Sequence, residues 1–248
     1  AEPAPTGPAP TAATPEEQRK SLEAVSKGID ELAKKGLFAF MSPENKDLMA
    51  KIQEGLKAGG DLSVDFLAEM LAGKDSTKRF LAVSLLSELD IEKALPLYRK
   101  ALFESEDDLV RRMASHSLAT HKIEKALPDL MKAMKEDKDW GVRANSAYGV
   151  AKMGNKAGID ALVESYNDES HQPAERLGVL GGIADIADPS TAPLFRDLLA
   201  KSKDDTTLIL SIGAVEKMMD KASLAPLQAI IQGSGSSLIK EPAKKAYN

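Results

Sequence analysis

Among its 248 residues the chain has no cysteine, three histidines and one tryptophan, and aromatic residues make up only 4%. Without cysteine it has no disulfide, no thiolate metal site and no cysteine nucleophile. No apolar run reaches the roughly 18–20 residues a membrane-spanning helix needs. A net charge of −5 gives the molecule no overall attraction to nucleic acid or to an anionic membrane. The signatures of a P-loop, a HExxH zinc site and a Gly-x-Ser-x-Gly nucleophile elbow are also missing.

What the sequence does have is a period. Ile91-Glu92-Lys93-Ala94-Leu95-Pro96 returns as Ile123-Glu124-Lys125-Ala126-Leu127-Pro128, 32 residues on, and fainter copies follow at spacings of 32 and 33. A unit this short with no strand pattern cannot bury its own apolar face and must stack on copies of itself. The expected fold is therefore all-α, a right-handed α-solenoid of stacked antiparallel helix pairs without strands. The pairs run over 75–106, 107–138, 139–171, 172–204 and 205–235, and 236–248 reads as a first helix lacking its second. In the second pair, Val110, Met113, Ala114, Ser117 and Leu118 share one face, as do Leu127, Leu130, Met131 and Met134. Pro96, Pro128, Pro193 and Pro226 fall in the opening turn of each second helix, where a missing N–H costs nothing.

Upstream, Thr14-Pro15-Glu16-Glu17 reads as a capped helix start, followed by the narrow seam Leu22, Val25, Ile29 and Leu32. Residues 15–41 are expected to form a capping helix over the open end of a repeat array spanning 42–248. Residues 1–14 hold four prolines and five alanines with one charged side chain, an extended linker by composition. A small-residue start before such a tether resembles the end left by signal-peptide removal, which predicts a periplasmic or secreted location. A cytoplasmic chain cut at an arbitrary point is the alternative.

The first helix of each unit opens with an aspartate four residues before an arginine: Asp75 and Arg79, Asp107 and Arg111, Asp139 and Arg143. The next unit keeps Arg176 behind Gln172, and the last keeps Asp205 but has Ile209. On these residues, residues 45–248 resemble the HEAT-like repeats, in particular the short bacterial kind also found in phycobilisome bilin lyases. The resemblance implies that the Asp/Arg pairs are a structural ladder between repeats and that second helices line a concave surface. Deoxyhypusine hydroxylase, an iron enzyme built of such repeats, holds its metal with His-Glu dipeptides, and this chain has none.

Laying the units in register separates what the repeat requires from what it does not. His121 aligns with Leu89, Met153, Ile186 and Met219 and is expected inside. Two outward columns read Lys100, Lys132, Glu164, Asp197, Ile230 and Lys93, Lys125, Ala157, Ser190, Ser223, basic early and acidic or neutral late. A phosphate track would stay basic, so nucleic acid is not the expected partner. A third column, Leu97, Asp129, Ala161, Leu194 and Leu227, is either exposed or core. Trp140 stands where other units carry Ser76, Asp108, Pro173 and Thr206, with Tyr148 outward on the same helix. Tryptophans anchor interfaces out of proportion to their number.

These departures predict a non-catalytic scaffold that binds a protein or peptide through Lys93, Lys100, Lys125, Lys132, Trp140, Tyr148, Glu164 and Asp197, without cofactor or metal. The alternatives are a repeat enzyme or enzyme subunit of the bilin-lyase or nucleic-acid-acting kind, and a structural protein that self-associates through its incomplete C-terminal unit.

Overall fold

The computed structural model describes residues 13–233 and 235–248. Apart from Ala13 and Thr14, the linker expected over 1–14 lies outside them. Every regular element among the described residues is helical. The described residues divide into two compact units, one ending at Ser117 and the other starting at Leu118.

In the first unit, α1 (Pro15–Lys35) starts on the expected capping box: the Thr14 hydroxyl accepts from the Glu17 N–H, and the Glu17 carboxylate accepts from the Thr14 N–H. Leu22, Val25, Ile29 and Leu32 are buried, and α1 packs chiefly on α2 (Lys46–Gly59), with lesser contacts to α3 (Leu62–Ala72) and α4 (Ser76–Leu85). Gly60, at φ 55°, ends α2. Asp75 caps α4 by accepting from the Lys78 N–H, and Asp90 caps α5 (Ile91–Glu104) by accepting from the Glu92 N–H. That second cap lengthens α5 upstream and leaves Pro96 inside the helix. In this pair, therefore, the proline is not in the opening turn as the sequence predicts.

The division between the units falls within α6 (Asp108–Thr120). In the second unit, α7 (Leu127–Glu136), α8 (Trp140–Lys152), α9 (Lys156–Asn167), α10 (Pro173–Ile186), α11 (Ala192–Lys201), α12 (Asp205–Met218), α13 (Leu224–Gln232) and α14 (Ser237–Tyr247) follow the expected pairing. Here Pro128 and Pro193 do occupy the first turn of their helices. α8 packs on α7 and α9, α10 on α9, α8 and α12, and α11 on α12 and α13. The incomplete last unit, α14, lies against α12 and α13 and buries Ile239 and Ala243.

Within each of these pairs the turn bends through one left-handed residue in the same register: Lys122 (φ 48°), Gly154 (φ 79°), Ala187 (φ 51°) and Met219 (φ 52°). Only one of the four is glycine, so the other three turns carry local backbone strain. The same turn corrects the expectation for His121. It directly precedes Lys122, beyond the last residue of α6, and is exposed rather than interior; Leu118 and Ala119 fill the core instead.

Candidate functional site

The ladder arginines fold back over the turn that precedes their own helix. Arg79 donates to the Gly73 carbonyl at 3.0 Å, and Arg111 to the Ser105 and Glu106 carbonyls at 3.0 and 3.2 Å. Arg143 donates to the Asp137 and Lys138 carbonyls at 2.9 and 3.1 Å, and Arg176 to the Tyr166 carbonyl at 2.7 Å. Each arginine thus binds carbonyls that helix termini and turns leave unsatisfied. Arg79 also reaches Asp107 of the next repeat at 3.1 Å, beside Ser76, which donates to the same carboxylate oxygen. Asp139 caps α8 by accepting from the Val142 N–H at 2.9 Å. The rung that the four arginines have in common runs to main-chain carbonyls.

One rung borders a groove of 540 Å³ between α7, α8 and α9, lined by Met134, Lys135, Trp140, Arg143, Glu164, Ser165 and His171 among others. Trp140 is the first residue of α8, where the Asp139 cap fixes its backbone. Its indole N–H donates to Ser165 Oγ at 2.9 Å, and its ring meets that of His171 at 4.7 Å with the planes tilted by 44°. His171 Nε2 lies 3.3 Å from Asp168 Oδ2. Hydrogen bonds from Ser170, with the nearby His171 contributing, hold the Asp168 carboxyl below the usual range. Trp140 remains half-buried, so part of the indole faces the groove.

The structure thus brings together Trp140, Arg143 and Glu164 of the residues singled out from sequence. His171 was missed. The linkers after α5, α7 and α11 each span three residues, whereas the one after α9 spans five, 168–172. The change of period from 32 to 33 was the available signal: the added length carries His171 onto Trp140.

The remaining candidates lie elsewhere. Lys93 is exposed and bridged to Asp61, which raises its pKa. Lys100 is exposed at the edge of a smaller groove, 310 Å³, that also holds Arg79, Glu104 and Asp107. Lys125 and Lys132 are exposed near and on α7, and Asp197, exposed on α11, pairs with Lys201. The third column is half-buried from Leu97 to Leu194 and buried at Leu227. Tyr148 is not an outward anchor. It is half-buried, fits beside Gly182, and donates its hydroxyl to Asp185 Oδ2 at 2.7 Å. Lys152 joins the same carboxylate oxygen at 2.9 Å, and these two hydrogen bonds depress the Asp185 pKa to about 2.

The HEAT-repeat family model matches residues 64–137 and 95–177. Together the two matches make residues 64–177 similar to HEAT repeats. The match is to HEAT repeats in general and does not single out the bilin-lyase kind. No curated protein matches the chain. Among solved structures, human deoxyhypusine hydroxylase in complex with glycerol aligns over 92% of this chain and 96% of its own, at 13% identity and a TM-score of 0.38. A likeness that loose carries no argument. The whole Trp140 groove falls inside the segment that is similar to HEAT repeats. Among the described residues no helix is long and apolar enough to cross a membrane. No group of three or more His, Asp or Glu side chains among them is arranged to hold a metal ion, the groove's carboxylates included.

Proposed function

We propose that the chain is a non-catalytic scaffold whose HEAT repeats take a segment of a partner protein in the groove between α7, α8 and α9. The observation that carries this reading is Trp140: the only tryptophan of the chain lies half-buried in a groove, at a position where other repeats carry small or polar residues. Its indole is held by Ser165 and His171 before any partner arrives, which lowers the ordering cost of binding. Alanines 144, 147, 157 and 161 line the same groove and leave room for a main chain to approach. Repeat scaffolds use extended surfaces of this kind.

The test is selection of a displayed random-peptide library on the full chain, with affinities then measured on wild type and Trp140→Ala. The reading expects recovered peptides whose affinity drops at least about tenfold on the variant, as for an interface anchor. A selection that returns no binder, or binders indifferent to the substitution, rejects it.

A further inference from the structure

We infer that the groove's partner segment presents a lysine or arginine side chain, seated between the Trp140 indole and the carboxylates of α9. This inference rests on the reading of the groove as a docking site and adds the chemistry of the occupant.

Asp160, Glu164 and Asp168 all line the groove and follow one another at intervals of four, so they form a single line along one face of α9 and its end. Two of the three have partners already: Asp160 is bridged to Lys156, and Asp168 faces His171. Glu164, between them, is exposed and directly precedes Ser165, the residue that accepts the indole N–H of Trp140. Trp140 and Glu164 thus line one groove, with the indole held by the residue that follows the carboxylate in sequence. An indole face and a carboxylate both attract a cation, and cation–π attraction is strongest over tryptophan.

Three carboxylates, Asp160, Glu164 and Asp168, outnumber the two cations of the groove wall, Lys135 and Arg143, and the Arg143 guanidinium is directed at the Asp137 and Lys138 carbonyls. In the register of the repeat, Trp140 and Glu164 correspond to Ser76 and Lys100, so the equivalent groove of the first unit is built for other contents. The lysine-to-acid change along that column thus has a local meaning: at Glu164 it converts one groove to cation recognition. A net charge of −5 favours the approach of a basic segment as well.

The experiment titrates the full chain with three short synthetic peptides of one sequence, differing in whether a central residue is Lys, Glu or Gln. Binding is read by Trp140 fluorescence and by calorimetry, on wild type and Glu164→Gln. The lysine peptide is expected to perturb Trp140, to bind about tenfold more weakly to Glu164→Gln, and to lose affinity in high salt. Glu164 is exposed, so the variant should keep the wild-type melting temperature. Equal binding of the lysine and glutamate peptides, or equal binding of the lysine peptide to both proteins, overturns the cationic occupant and leaves groove docking standing. If none of the three binds and the library selection also fails, the docking reading falls with it.

Discussion

Asp185 gathers side chains from two other first helices of the second unit: the Tyr148 hydroxyl at 2.7 Å, Lys152 at 2.9 Å and Lys217 at 3.5 Å. Its pKa falls from an ordinary 3.8 to about 2, because hydrogen bonds from Lys152 and Tyr148 favour the charged form. A depressed carboxyl adds stability that is complete above its unfolded value and is lost as pH falls through its folded one. Asp185 is largely open to solvent, so screening leaves it worth about 1 kcal/mol at neutral pH. Asp185→Asn is therefore expected to melt a few degrees lower than wild type at pH 7. The difference should close between about pH 4 and pH 2, and melting curves across that range check it. Tyr148 belongs to this node. Sequence placed it on the right helix, but an aromatic residue on an outward position gives no sign that a carboxylate two helices on will claim its hydroxyl.

At the level of the helix, the arginine rung and the close approach of α8 to α9 set stability. Arg111 is 4% exposed and satisfies two carbonyls of the turn ahead of α6. Arg111→Ala should cost about 2 kcal/mol through the orphaned carbonyls and the lost stem packing. Arg111→Lys should recover only part of it, since a lysine lacks the fork that reaches both. Urea titration of the three proteins decides this. At the start of α9, a Cβ on Gly158 would lie 2.5 Å from the Ala147 carbonyl oxygen and 2.4 Å from the Ala151 nitrogen, both main-chain atoms of α8. Gly158→Ala should lower stability by about 3 kcal/mol. Met219→Gly should raise it by about 0.5 kcal/mol: it relieves a left-handed residue whose side chain is 83% exposed, less the entropy a glycine adds to the unfolded chain. Both shifts are measurable by thermal melts. The helices, their pairing and the Thr14 cap were all legible, because period and capping chemistry are local. Pro96 and His121 were misread for the opposite reason. The Asp90 cap lengthens α5 around Pro96, and the left-handed turn at Lys122 turns His121 outward.

Across the whole molecule, repeats that contact mainly their sequence neighbours add up stability unit by unit. The single tryptophan reports on the repeat 139–171, whereas far-ultraviolet circular dichroism reports on every helix. Urea unfolding followed by the two signals should give transitions that do not coincide, and coincidence would mean that the chain unfolds as one block. The five-residue linker 168–172 also has a bearing on how such a molecule changes over time. Trp140, Glu164 and His171 occupy positions that core packing does not constrain, whereas Arg143, one helical turn from Trp140, is tied to the main chain. Mutational drift can therefore redraw the lining of the groove, or lengthen and shorten the linker that frames it, while selection for folding acts on a separate set of columns. On the proposed docking, recognition and stability rest on different residues, so a duplicated repeat can gain a new partner without first losing its fold.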